Sequence, residues 1–525
     1  MKYAKYFDEA LIAALIAAQV ILLFSFRYFP SQDGPEHVYN VSLFLDRILG
    51  GPSPLFDAFH VIQKLPSPNL VATVLLGGLM LIFPALIAEK ILLGLYVLLL
   101  PIATIYALRS IDRKAGWLAL LILPFSFNLF FHLGFYNFSY SLIFFFLTLG
   151  YWLRRRPRPG WKTGAGLLGF LALTYFSHIA TFVVTLFGLA VMECFATFEK
   201  PKGARARWLV LAGASLPLLA LAAEFVLREH TVAVWTTDLQ KTPLFLMQLV
   251  GLGSFVSEEV LLAAAVSLLL MGVTLFRWGL FLKFQDARRM IPWLGLFGIY
   301  SLLYIVSPAG AGGGAYLQHR LILFPFFALL LAAATQKYSI RFKRSIQGLA
   351  AVITVGFLVL HGRSYGALNE IIAEYMSAAS LIESQSTILP LTYNQRGNDQ
   401  FRALNVRALL HIASIVALAR ESINLLNYEA HTNHFILKFK EDRDPFTFMA
   451  CGEGLEAEPP CAKIADYERK TGQRIDYVLL WNPKESDLLN PVSAPIVRDL
   501  RSRYRLVGKS SPEGLLHVYR RMPPP

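Results

Sequence analysis

The stretch Ala10 to Phe29, ALIAALIAAQVILLFSFRYF, decides the class of fold. An α-helix rises 1.5 Å per residue, so about twenty apolar residues cross a hydrocarbon core about 30 Å thick. A polar turn, Pro30-Ser31-Gln32-Asp33-Gly34-Pro35-Glu36-His37, comes at once after it, where such a helix would emerge from lipid. Lys2 and Lys5 ahead of the run give it the look of a signal sequence. The run is long, however, and no small-residue cleavage site precedes Tyr28-Phe29-Pro30, so it reads as an uncleaved first helix.

Similar apolar runs recur as far as His361 and then stop. Of 525 residues, 55% are hydrophobic and only 16% charged, against about 25% charged in ordinary soluble domains, which excludes an ordinary soluble protein. The formal charge of +14 is not spread as one basic stripe, so no nucleic-acid partner is expected. The cations sit instead in short clusters between apolar runs: Lys2 and Lys5; Arg109 to Lys114; Arg154 to Lys162; Lys200 to Arg207; Arg277 to Arg289; Lys337 to Arg344. By the positive-inside rule these face the cytoplasm, and the loops around His132, Ser177, Trp235 and Gly312 face outward. Asn69 to Phe83 is apolar but only about fifteen residues long and closed by Pro84, which fits a re-entrant or interfacial helix on the outer side.

The expected spans are 10-29, 88-108, 116-131, 138-153, 163-177, 179-198, 208-227, 259-276, 291-306, 321-335 and 346-361. Eleven is odd, so a cytoplasmic N-terminus leaves everything after His361 outside. The expectation is a mainly α, polytopic membrane protein. Its membrane domain would cover 1-361, with outer loops 30-87 and 228-258, and 362-525 would form a periplasmic domain.

From Gly362 the charges become mixed, and short β-like runs appear at 386-391, 434-439, 476-481 and 515-519, alternating with helical patterns at 366-384, 402-420 and 495-503. This predicts a small α/β domain large enough to bury its own core. Cys451 and Cys461 lie here, and in an oxidising compartment they form a disulfide candidate, with two free thiols as the alternative.

The first outer loop carries two carboxylates and a histidine, Asp33, Glu36 and His37, stiffened by Gly34-Pro35. A carboxylate beside the low dielectric of a span has its pKa drawn toward that of a working base. The plainer alternative is a solvated turn in which Asp33 or Ser31 caps the next helix. Other outer helix ends carry His132, Asn137 and His178, and Arg320 follows a glycine-rich loop in Tyr316-Leu317-Gln318-His319-Arg320. Ionisable groups at membrane level usually face a cavity or one another, although Arg320 alone could equally be snorkelling. Asp33, Glu36, His37, His132 and His178 include the ligand types of a divalent metal site, but no two distant ligands can be brought together from sequence. There is no P-loop, dinucleotide fingerprint or nucleophile elbow. The segment Leu227 to Glu259, with Trp235, Asp238, Lys241, Glu258 and Glu259, reads as an outer flap or an interfacial helix.

With Asp33-Gly34-Pro35-Glu36-His37 just after the first helix, and Gly134-Phe135-Tyr136-Asn137-Phe138 beyond, the chain resembles the GT-C superfamily of membrane glycosyltransferases. It is similar to the protein mannosyltransferases and lipid A aminoarabinose transferases, and more so to a poorly characterised bacterial branch. The resemblance implies transfer of a sugar from a polyprenyl-phosphate donor to a glycan, lipid or protein acceptor on the outer face. Asp33 would be the general base and Arg320 the donor-phosphate ligand. Glu36, His37, His132, Asn137, His178, Tyr316 and His319 would stand in second rank. Many relatives carry a further acid in the second outer loop; Phe131 to Asn137 has none, so a carboxylate-pair or metal mechanism is not carried over. No cofactor is required by this reading, and a divalent metal stays possible. Two other classes compete: a transporter or flippase for a lipid-linked precursor, which would need polar mid-span residues and paired broken helices, and a non-catalytic assembly subunit with a partner-binding outer domain.

Overall fold

A computed structural model describes residues 2-51, 53-63, 68-228, 234, 241-275, 284-310, 315-432 and 434-523. Trp235 and Asp238 of the long loop, and 311-314 of the glycine-rich loop, lie outside the described residues.

Among the described residues, seven helices are long and apolar enough to cross a bilayer: Tyr6–Phe24, Ala85–Ile111, Ile179–Glu199, Ala204–Arg228, Glu258–Leu275, Arg288–Val306 and a stretch of Ile340–Leu381. Their outer faces expose Ile21, Ile102, Phe187, Leu216, Leu268, Leu302 and Val352. Apolar rows of this size on long helices are covered by lipid, not water. The chain is a multi-pass membrane protein.

Four of the eleven expected spans, 116-131, 138-153, 163-177 and 321-335, do not meet this measure. The first is a 3-10 segment, Ala115–Ile122, broken into the short helices Leu123–Ser126 and Leu129–His132, and all of these residues are buried. The last lies in a shorter apolar helix, Leu317–Ala333, buried at every position from Leu321 to Ala333; at 1.5 Å per residue it rises about 25 Å, somewhat less than a hydrocarbon core. Hydropathy cannot tell such protein-enclosed segments from lipid-facing ones, because both are apolar throughout. Val71–Met80 is a short helix, as the length of its apolar run suggests.

The last span does not stop at His361. One helix runs from Ile340 to Ser377 over 38 residues, about 57 Å, and leads from the bundle into the C-terminal domain. The described strands are β1 (His60–Ile62), β2 (Thr387–Thr392), β3 (Ile423–Asn424), β4 (Leu437–Phe439), β5 (Tyr477–Trp481), β6 (Tyr504–Lys509) and β7 (Leu516–Arg521). Five of them form a mixed sheet in the order β3-β2-β5-β7-β6. β2 is parallel to β3 and β5, whereas β7 is antiparallel to β5 and β6. β2 and β5 are buried at every residue, as central strands covered on both faces must be. The helical pattern at 402-420 is realised only as Ala413–Arg420, and β6 and β3 had no counterpart in the sequence pattern.

The loop region after the first helix belongs structurally to this domain. Its strand β1 pairs antiparallel with β4. Phe59 and Phe439 lie in one buried cluster with Leu389, Leu425 and Leu480. The domain also seats on the loop before Glu258–Leu275, where the Leu404 and Asn405 amides donate to the Phe255 and Ser254 carbonyls at 2.8 and 2.9 Å. Cys451 and Cys461 form a disulfide; Cys194 is a free thiol in Ile179–Glu199.

Candidate active site

Helix Gly34–Leu49 opens with Pro35, whose fixed φ suits a first turn, and places Glu36 there as well. Asp33 occupies the N-cap position, but its side chain makes no capping bond. Ser31 does not cap either; its Oγ lies 3.0 Å from the Tyr136 hydroxyl. The plainer reading of Asp33 as a helix cap therefore does not hold. The carboxylate instead accepts from Gln32 Nε2 on Oδ1 and from the Tyr428 hydroxyl on Oδ2, both at 3.0 Å. A carboxylate can accept about four hydrogen bonds, so capacity remains for a substrate hydroxyl.

Two glycines let the backbone approach this closely. Gly134 has φ +84°, and a Cβ there would stand 2.7 Å from the Gly34 nitrogen and 2.9 Å from that of Asp33. A Cβ on Gly34 would meet Ser31 Oγ and the Tyr136 hydroxyl at 2.1 Å. The Gln32 and Asp33 amides donate to the carbonyls of His132 and Leu133 at 3.0 and 3.2 Å. The turns at 31-34 and 132-135 are thus one unit.

The C-terminal domain closes the site from above. Tyr428 touches both acids of the first loop: its hydroxyl reaches Asp33, and its amide donates to Glu36 Oε1 at 2.9 Å. Its segment is held by Asn427, which exchanges hydrogen bonds with Asn40 at 2.6 and 3.2 Å. His411 Nε2 lies 3.6 Å from Asp33 Oδ1, and its Nδ1 lies 3.3 Å from Glu36 Oε2 without hydrogen-bond alignment. His37 donates from Nε2 to the Gly134 carbonyl at 2.8 Å and pairs through Nδ1 with Glu429 at 2.5 Å. A ring with both nitrogens facing oxygen acceptors is an imidazolium.

Burial, opposed mainly by the His37 charge and the Gln32 hydrogen bond, lifts Asp33 to about 6. Burial pushes Glu36 well above the carboxylate range, reinforced by Glu429, Glu456 and Asp33. Burial, with Arg407 and His37 nearby, holds His411 well below its usual value. Burial would also lower His37, but the Glu429 carboxylate outweighs it and raises the ring to about 9. Near pH 7 His37 is then charged and Asp33 mostly ionised, while burial biases Glu36 toward its protonated form and His411 toward its neutral one.

Asp33 and Arg320 line the same cavity, about 590 Å³ in volume. The Arg320 guanidinium stacks 4.2 Å from the Phe135 ring centroid and donates from Nη1 to His178 Nε2 at 2.9 Å. Since Arg can only donate, His178 accepts and is neutral on that nitrogen. Arg320 Nε is buried and makes no hydrogen bond, so one donor of the fork is left unpaired. The C-terminal domain contributes Arg407, His411, Tyr428 and Glu456 to the wall. Below Arg320 the cavity turns apolar, along Val183, Phe187, Val226 and Leu303 of the membrane helices.

The other sequence candidates divide. Asn137 and Tyr316 line the cavity, but Asn137 also anchors Val71–Met80, accepting from the Ala72 amide at 2.7 Å and donating to the Asn69 carbonyl at 3.1 Å. Tyr316 adopts φ +60° before the short helix Leu317–Leu321 that carries Arg320. His319 is exposed and stands outside the cavity lining. His132 is fully buried between Ser254 Oγ at 2.8 Å and the Tyr365 hydroxyl at 2.6 Å, packed on Phe255 and away from the cavity. Glu259 accepts from the Ser254 and Phe255 amides, so it braces a turn. Among the described residues, no group of three His, Cys, Asp or Glu is arranged to hold a metal ion.

No family model and no curated protein matches the chain. Among solved structures it is similar to the archaeal oligosaccharyltransferase AglB from Archaeoglobus fulgidus, in complex with an inhibitory peptide and a dolichol-phosphate. The identity is 12%, the match covers 99% of this chain and 75% of that one, and the TM-score is 0.45.

The sequence reading missed Tyr428, His411, Arg407, Glu429 and Glu456. They come from loops and the short helix Tyr428–His431 of the C-terminal domain, far along the chain from Asp33, and no spacing in the chain marks them.

Proposed function

We propose that the protein is a membrane glycosyltransferase that moves a sugar from a polyprenyl-phosphate donor to an acceptor in the cavity shared by Asp33 and Arg320. The observation that carries this reading is the shape of that cavity. One chamber has a carboxylate poised near neutral pH, a guanidinium with an unpaired donor, and an apolar outlet along membrane helices. A lipid-linked sugar phosphate has the matching three parts.

In this reading the prenyl chain lies along Val183, Phe187, Val226 and Leu303. Arg320 holds the phosphate and stabilises the charge that grows on it as the glycosidic oxygen departs, since guanidinium pairs with phosphate through parallel N–H bonds. Phe135 and neutral His178 fix the guanidinium plane. Asp33, ionised, takes the proton of the acceptor hydroxyl as that oxygen attacks the anomeric carbon. The proton passes to the carboxylate, the C–O bond to the donor phosphate breaks, and the polyprenyl phosphate leaves. The Tyr428 hydrogen bond keeps Asp33 oriented, and the C-terminal domain roofs the acceptor.

The test is transfer by the purified protein from a panel of polyprenyl-phosphate sugars, with Asp33→Asn alongside the parent. A positioned base contributes roughly 10²–10⁴-fold, and a loss of that size is expected. Undiminished transfer by Asp33→Asn removes Asp33 from the mechanism, and no transfer by the parent from any donor removes the reading.

A further inference from the structure

Helices Lys2–Phe24 and Ala85–Ile111 leave a second cleft between them, about 1090 Å³ in volume. Along most of its length it is apolar, lined by residues such as Ile16, Val20, Leu98 and Ile102. One end is charged: Arg109, Arg113, Lys114 and Lys343 against Asp8 and Glu9, four cations to two carboxylates. The carboxylates are already engaged, Asp8 with Lys343 and with Arg344 at 3.2 Å, and Glu9 with Arg109 at 3.1 Å. Arg113 and Lys114 are exposed, and among the described residues their side chains have no ion-pair partner. Trp117 stands beside them, an aromatic type enriched at the lipid-water boundary.

We propose that this cleft binds a membrane phospholipid with an anionic glycerophosphate headgroup, its acyl chains between the two helices and its phosphate at Arg113 and Lys114. Basic pockets between membrane helices are where such headgroups are held. The charged end lies at the opposite end of Ala85–Ile111 from Glu89, which accepts from Tyr136 in the candidate active site at 2.5 Å. Those 27 residues span about 40 Å, so this lipid is not the sugar donor and its headgroup meets the other leaflet. It braces the helix whose far end leads into Asp33.

The test is lipid retention by the full-length protein in mild detergent, read by native mass spectrometry. The probes are dioleoyl phosphatidylglycerol and dioleoyl phosphatidylcholine, which share their chains and differ in headgroup charge. Each surface cation favours an anionic lipid roughly fivefold. The double variant R113Q/K114Q is therefore expected to bind phosphatidylglycerol on the order of twentyfold more weakly, with phosphatidylcholine unchanged. Ala17→Trp, which fills the exposed middle of the cleft, is expected to weaken both lipids. Equal retention of the two lipids by the parent, an unchanged phosphatidylglycerol affinity in R113Q/K114Q, or no effect of Ala17→Trp each overturns the proposal.

Discussion

The Tyr428 hydroxyl donates to Asp33 Oδ2 at 3.0 Å across 395 positions of sequence. It ties the C-terminal domain directly to the candidate base, and because it favours the ionised carboxylate it lowers a pKa that burial has raised. Activity that depends on ionised Asp33 should rise with pH through about 6, the value burial sets. Tyr428→Phe removes the stabilising bond, so the acid limb should move to higher pH while activity well above it falls less. A pH-rate profile of kcat/KM checks both; an unmoved limb separates Tyr428 from Asp33.

The His37 and Glu429 pair gives stability its own pH dependence. The folded ring titrates near 9, against 6.5 as the ordinary value. The native state therefore binds more protons between those limits, and the pair's contribution is fully present below pH 6.5 and lost as pH rises through 9. The Tm of the parent should fall from pH 7 to 10. His37→Gln should be less stable at pH 7 by roughly 3 kcal/mol, the typical penalty for breaking a buried pair, with a flatter profile. Identical slopes would discard the assignment.

Gly134 tests how tightly the turns at 31-34 and 132-135 are joined. An alanine at this position would need an unfavourable positive φ and would press its Cβ on the Asp33 and Gly34 amides, costing about 1–3 kcal/mol. Since the displaced atoms carry the base, Gly134→Ala should lose a larger fraction of activity than Tm predicts. Activity and Tm falling in proportion would mean that the contact is only structural.

How much of the molecule was legible in its sequence depends on the length scale of each signal. An apolar run of twenty residues is a local property, and seven of eleven runs appear as helices long enough to span. Basic clusters are local too, and the structure brings several together at one end: Arg109 with Glu9, Arg344 with Asp8, Arg154 with Ser110 at 2.8 Å. Whether an apolar segment faces lipid or protein is not local: Ala115–Ile122 and Leu323–Ala333 are as apolar as the lipid-facing helices, yet protein encloses every residue of them. The site divides in the same way. Asp33 and Arg320 stood out because each is charged at a helix mouth, whereas Tyr428 and Glu456 carry no mark until the domain folds back. His132 satisfied the same polar-at-the-outer-end criterion, yet Ser254 and Tyr365 consume both ring nitrogens.

Arg320 can be separated from a merely snorkelling cation by its geometry. Its planar group lies over Phe135 and bonds His178, and Lys cannot reproduce both contacts together with a two-pronged phosphate grip. Arg320→Lys should raise KM for a polyprenyl-phosphate donor about tenfold or more, leaving KM for the acceptor near the parent value. A snorkelling residue would tolerate Lys in both.

Glu456 offers the corresponding test on the acceptor side. It lines the cavity, its Oε1 is buried without a hydrogen bond, and burial raises it to about 7 against the opposing pull of Arg407. The loop that carries it is closed by the Cys451–Cys461 disulfide and held by Gln395, whose Nε2 donates to the Glu456 carbonyl at 2.7 Å. Replacing both cysteines by Ser frees a loop of this size at a cost of about 2–3 kcal/mol. If Glu456 positions the acceptor, then the double Cys→Ser variant and Glu456→Gln should both raise KM for the acceptor several-fold and leave that for the donor unchanged. An acceptor KM that moves in the cysteine variant but not in Glu456→Gln would assign the effect to the loop's shape rather than to its carboxylate.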